Sequence, residues 1–207
     1  MIIKNIIFDY GNVIFDIDHQ LTIKAFEKLG LTDFSDKFSH AGQAEFFNEF
    51  EKGKISADEF RKNMNVILHA NFSDEIIDHA WNALLIGIPS GNLELLLQTK
   101  NKYRTFLLSN NNIIHYTQII EYLQSVFEIN SMDDYFEKTY YSHQMNMRKP
   151  DADIFEFVLN ENKLNPAETL FIDDSKQHIE TAKNIGLQTH LLPIGYSLQN
   201  YFNENNF

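Results

Sequence analysis

Cysteine is absent from the 207 residues, which rules out disulfide staples, thiolate chemistry and metal binding through sulfur. No run of about 20 apolar residues occurs either, so a membrane-spanning helix is excluded. The start of the chain lacks the basic region, apolar stretch and small-residue cleavage site of an export signal. Asn5 and Asp9 fall where such a signal would be apolar, and the expected location is the cytoplasm. Basic residues are outnumbered 17 to 29 by acidic ones, and the net charge of -12 weighs against a nucleic-acid partner. Most of that acid reads as a solubilising surface. What is present is apolar and aromatic: 43% and 14% of the residues, enough for a packed core. The length suits one large domain or a domain with a substantial insert.

Five short apolar runs, at 2–8, 105–108, 139–141, 169–172 and 189–192, read as buried strands. Near-continuous apolar character, rather than alternation, is what a parallel sheet covered on both faces shows. Helical spacing fills the intervals at 92–100, 112–127, 151–160 and 175–185, with a short turn of helix at 165–168 capped by Asn165 and opened by Pro166. Strands alternating with helices predict an α/β fold with an open parallel, Rossmann-like sheet. Residues 18–88 break the rhythm, because they are helical throughout, with candidates at 21–29, 44–51, 57–69 and 74–85. Ser56 and Glu59 form a capping box there. This stretch is expected to be a helical subdomain inserted into a core of 1–17 and 89–207, above the strands' C-terminal ends. No internal repeat is evident, and the Asn-rich end at 198–207 is expected to fray.

Each strand end of interest carries polar groups. IIFDYGNV ends on Asp9, TFLLSNNN on Ser109 and Asn110, TYYS on Ser142 with RKP and Lys149 shortly after, and LFIDDS on Asp173 and Asp174. A lone Asp or Ser-Asn after a strand is an ordinary turn or helix cap, and a Lys is ordinarily solvated. The case rests on all four occurring in order, each on its own strand. Parallel strands would gather them at one edge, giving three carboxylates, two small polar groups and a lysine. Clustered carboxylates need a cationic partner, and Mg²⁺ suits an all-oxygen site that also takes phosphate. Asp9 is then placed to attack a phosphoryl group, with Lys149, Ser109 and Asn110 available to its equatorial oxygens.

The four motifs FDYGNVIFD, LLSNNN, MRKPDADIF and LFIDDSKQHIETA resemble, in order, those of the haloacid dehalogenase-like (HAD) hydrolases with a helical cap after the first strand. FDYGNVIFDID, MRKP and FEKGKISADEF are similar to the bacterial branch that includes α-D-glucose-1-phosphate phosphatase. The resemblance implies a Mg²⁺-dependent phosphatase acting on a small phosphorylated metabolite, such as glucose 1-phosphate, through an aspartyl-phosphate. It makes Asp9 the nucleophile and a metal ligand, the Gly11 carbonyl and Asp174 further ligands, and Asp173 an adjacent group acting through water. Ser109, Asn110 and Lys149 match phosphate-binding positions.

Two departures stand out. Gly11 occupies the position where most phosphatases of the superfamily carry a second aspartate as proton donor, and glycine has no proton to give. The branch resembled shares this glycine. Asp16, Asp18, His19 and His178 are near in sequence, and none is assigned the role. Asn146 replaces a frequent glycine, which an asparagine can do because it tolerates a left-handed backbone. Rival readings are a haloacid dehalogenase-type hydrolase, a phosphosugar mutase and a catalytically silent phospho-ligand binder. Paired acids at Asp173 and Asp174 disfavour the first, and Gly11 the second. Substrate choice is expected to lie in the cap around SHAGQAEFFNEF, with Phe46, Phe47 and Phe50 read as core residues of that subdomain.

Overall fold

The structure is a computed structural model that describes residues 2–31, 34 and 45–205. In chain order its strands and helices are β1 (Asn5–Phe8), β2 (Asp16–Ile17), α1 (His19–Lys28), α2 (Glu45–Glu51), α3 (Ala57–Leu68) and α4 (Asp74–Asn82). Next come β3 (Leu85–Gly87), α5 (Asn92–Lys100), β4 (Arg104–Ser109), α6 (Ile113–Phe127), β5 (Lys138–Tyr141) and α7 (Ser142–Met145). The chain continues through α8 (Ala152–Asn162), β6 (Thr169–Asp173), α9 (Lys176–Asn184), β7 (Gln188–Leu191) and α10 (Leu198–Asn205). Five strands form one sheet in the order β5-β4-β1-β6-β7. Every pairing in it is parallel.

The apolar runs become strands because β1, β4 and β6 are buried on both faces. Ile6 and Phe8 enter one core with Leu107 and Ile172, while Ile7 enters the other with Phe106, Leu108 and Phe171. Leu93 and Leu96 of α5, Ile119 and Leu123 of α6, and Tyr201 and Phe202 of α10 cover the first face. Ile154, Phe155, Val158 and Leu159 of α8 cover the second, with Ala182 of α9. The parallel sheet expected from the sequence is therefore present.

The helices α1 to α4 pack around a third apolar cluster of Phe26, Phe50, Phe60, Met64, Leu68, Ile77 and Trp81. Phe46 and Phe47 pack against that cluster, in line with their reading as core residues. The Ser56 side chain accepts from the Glu59 N–H at 3.2 Å, so the serine half of the expected capping box forms. Among the described residues, no helix is long and apolar enough to cross a membrane.

Two local expectations need correction. The end of the chain does not fray from residue 198: α10 forms there and buries Leu198, Tyr201 and Phe202 against the sheet. Polar asparagines spaced around a helix hide a three-residue apolar stripe from a reading based on composition. The helix anticipated at 74–85 stops at Asn82, because Leu85–Gly87 pairs antiparallel with Asp16–Ile17. Neither of those short strands, nor the single-turn α7, is long enough to show a period.

Candidate active site

The C-terminal edge of the parallel sheet gathers the polar strand ends. Asp9 follows β1, where its N–H donates to the Ile172 carbonyl of β6 at 2.9 Å, so backbone pairing carries the carboxylate to the edge. Asp173 ends β6 and is fully buried. Lys149 is also fully buried and bridges the two: its Nζ donates to Asp9 Oδ1 at 2.5 Å, to Asp173 Oδ2 at 2.8 Å and to the Leu108 carbonyl at 2.8 Å. A buried ammonium with three acceptors has all its protons placed.

Both oxygens of Asp173 are engaged. Its Oδ1 accepts from the Ser175 N–H at 2.7 Å, and His178 Nδ1 lies 3.0 Å away. Asp174 is partly exposed and accepts one hydrogen bond, from Asn12 Nδ2 at 2.9 Å. Asp9, Asp173 and Asp174 each offer an oxygen within 4.8 Å of the others. Three carboxylates, two of them buried, outnumber the one buried ammonium, a balance that fits a hard divalent cation with oxygen ligands. The Asp9 carboxyl is pushed up to about 7, chiefly by burial and further by the charges of Asp173 and Asp174, with Lys149 opposing. Lys149 holds Asp173 below its ordinary value despite its burial.

Ser109 is buried at the end of β4, with its Oγ 3.3 Å from the Asn110 carbonyl. The Asn110 amide is committed to the Lys149 backbone: Oδ1 accepts from the Lys149 N–H at 2.9 Å and Nδ2 donates to its carbonyl at 2.8 Å. Its side chain thus positions the lysine. Gly11 lies two residues past Asp9, and a Cβ there would meet Ile17 Cδ1 at 3.0 Å. A side chain at this position would need the end of the Ile17 side chain to give by a few tenths of an ångström. Asn146 takes φ 57°, the left-handed backbone its substitution for glycine called for.

The possible proton donors separate. Asp16 and His19 are exposed, Asp18 caps α1 by accepting from the Gln20 N–H, and His178 faces Asp173. His40 of the SHAGQAEFFNEF segment lies outside the described residues. Sequence reasoning missed Asn12, whose left-handed φ of 55° turns its amide onto Asp174, and the contacts of Arg148 with the helical insert. An asparagine directly after a glycine in the first motif was the available signal for Asn12.

Residues 3–186 match a protein family described as haloacid dehalogenase-like hydrolase. The chain belongs to the haloacid dehalogenase-like hydrolases. It is 35% identical over 189 residues to a D-ribitol-5-phosphate phosphatase of Bacteroides thetaiotaomicron, covering 90% of this chain and 90% of the relative. A solved structure of a HAD family enzyme from Bacteroides thetaiotaomicron, in complex with magnesium and inorganic phosphate, superposes with a TM-score of 0.86 at 36% identity. It covers 97% of this hydrolase and 99% of that chain. A predicted HAD-like hydrolase from Porphyromonas gingivalis superposes with a TM-score of 0.86 at 26% identity, over 100% of this chain and 98% of the other.

Proposed function

We propose that this hydrolase is a Mg²⁺-dependent phosphatase of a small polyol or sugar phosphate, working through an aspartyl-phosphate on Asp9. The observation that carries the reading is the Asp9–Lys149–Asp173 constellation with Asp174 beside it, a set in which three carboxylates share one ammonium. The similarity to a D-ribitol-5-phosphate phosphatase and to an enzyme holding magnesium and phosphate supports it.

In this reading Asp9, Asp174 and the Gly11 carbonyl would hold the metal, while Asp173, whose oxygens are already engaged by Lys149, Ser175 and His178, would act beside it through water. The bound Mg²⁺ would offset negative charge on the carboxylate and the phosphoryl oxygens. A carboxylate oxygen of Asp9 attacks phosphorus, and the bond from phosphorus to the ester oxygen breaks with its electron pair going to that oxygen. The leaving oxygen takes a proton from a donor other than residue 11. Water then attacks the acyl phosphate, releasing inorganic phosphate and restoring the Asp9 carboxylate. Lys149 holds Asp9 in line and supplies positive charge, and Asn110 fixes Lys149 through its backbone. Ser109 sits at the same edge to donate to a phosphoryl oxygen. Residues 18–88 act as a cap that closes over the core of 1–17 and 89–207 and excludes water.

Phosphate release from D-ribitol 5-phosphate, glucose 1-phosphate and p-nitrophenyl phosphate tests this, with MgCl₂ and with excess chelator. Release should require Mg²⁺, and Asp9→Asn should lower it by about 10³-fold or more. Activity that survives the chelator, or an Asp9→Asn variant with full activity, overturns the mechanism. The rates on the first two compounds decide between a ribitol-type and a glucose-type substrate.

A further inference from the structure

The N-terminal edge of the parallel sheet lies at the far ends of the strands from Asp9, and phosphoryl transfer makes no use of it. An open cavity of about 630 Å³ runs along that edge, touching the first residues of β1 and β4 and the residues just before β5 and β6. Its volume is that of a small-molecule site. Five cations line it, Lys4, Lys100, Lys102, Arg104 and Lys163, against two acids, Glu137 and Glu168. A local excess of three positive charges thus stands in a chain whose net charge is -12. Like charges gathered around a concave surface repel one another and focus a field that attracts anions.

Local pairing offsets only part of this charge. Lys4 Nζ lies 2.8 Å from Glu168 Oε1, and Arg104 donates to both oxygens of Glu137 at 2.6 and 2.9 Å. Lys100 Nζ donates to the uncharged Asp134 carbonyl at 2.7 Å. Among the described residues, Lys163 has no acid within ion-pair distance. Lys100 and Lys163 stand at the C-terminal ends of α5 and α8, where a cation complements the helix dipole. Helix ends do not explain Lys4, Lys102 and Arg104, which stand at or just before strand starts. The cavity wall also includes two polar side chains that are nearly sealed from solvent. Asn5 is 5% exposed and donates to Thr169 Oγ1 at 3.0 Å. Thr105 is 1% exposed, and its Oγ1 has no hydrogen-bond partner. A buried hydroxyl left unpaired is destabilising, and an oxyanion in the cavity supplies the acceptor it lacks.

We propose that this cavity binds a diphosphate group, free or borne by a nucleotide, at a site separate from the phosphoryl-transfer centre. The proposal does not rest on the phosphatase reading. A diphosphate carries about three negative charges near neutral pH, because the last ionisation of a phosphate group lies near pH 6, and this matches the excess in the cavity. The lysines neutralise its oxygens, and the Thr105 hydroxyl donates to one of them.

The test is calorimetric titration of the full chain, stripped of metal and dialysed free of chelator, with sodium pyrophosphate and with ADP at constant ionic strength. Without metal, the opposite edge holds three carboxylates against one ammonium and repels both probes. One binding site is expected, and the double variant Lys100→Gln/Lys163→Asn should weaken it by about 30-fold. Asparagine suits position 163 because the φ there is 54°. Thr105→Val keeps the side chain's shape and should weaken binding by about fivefold. Its urea midpoint without ligand should not fall, since the hydroxyl has no partner in the chain to lose. Tighter binding of ADP identifies a nucleotide as the ligand and tighter binding of pyrophosphate a free diphosphate; either order supports the site. No binding of either probe to wild type up to about 1 mM overturns the proposal, as does a double variant that binds within about threefold of wild type. Sulfate binding as tightly as pyrophosphate also overturns it, because the cavity then only gathers counter-ions.

Discussion

At the scale of single residues, the decisive contact is Lys149 between Asp9 and Asp173. The motif order in the sequence already singled out these residues, because Asp9 and Asp173 each end an apolar run and Lys149 follows a third. That the lysine is fully buried and ties the two acids together was not legible, since nothing local to RKP marks its burial. Its removal should be severe. Lys149→Met leaves two buried carboxylates without their cation, and the unfolding free energy in metal-free buffer should drop by about 3–5 kcal/mol. Urea unfolding measures this, and added MgCl₂ should restore part of the loss. Asn110 shows the opposite limit of a sequence reading. Its place in the motif was clear, but its amide spends both ends on the Lys149 backbone, which no pattern of residue types reveals.

At the scale of elements, long periodic segments were legible and short ones were not. β4, β6 and α5 lie where apolar periodicity puts them, within a residue. The β2–β3 pair, with two and three residues, carries no period and exists because tertiary packing brings the ends of the insert together. α10 is the instructive failure. Leu198, Tyr201 and Phe202 sit on one face of a helix otherwise made of asparagine, glutamine and acid, and Phe202 stacks on Phe8 of β1 at 6.0 Å. Phe202→Ala should therefore cost about 3–5 kcal/mol, as a core deletion does. Asn203→Ala, on the exposed side, should change stability by less than about 0.5 kcal/mol. Denaturant midpoints of the two variants distinguish a docked helix from a frayed end.

For the whole molecule, a buried histidine sets part of the response to pH. His115 is packed flat against Trp81 at 5.2 Å, with Nδ1 2.7 Å from Asn82 Oδ1, and burial holds its pKa down to about 3. The unfolded chain binds this proton below about pH 6.5 and the folded chain does not, so stability falls as pH drops through that window. The slope is about 1.4 kcal/mol per pH unit, or about 3 kcal/mol between pH 6.5 and 4. His115→Gln should lose correspondingly less stability than wild type over the same range, measured by urea midpoints at each pH. Composition, apolar periodicity and the four ordered motifs were sufficient for the α/β class, the strand positions and the candidate nucleophile, because each is written in residues within one element. The bridge across 140 positions from Lys149 to Asp9, the basic cavity at the opposite edge of the sheet, and the docking of α10 emerged only in the folded chain. Burial and charge pairing depend on distances in space, and sequence spacing does not encode them.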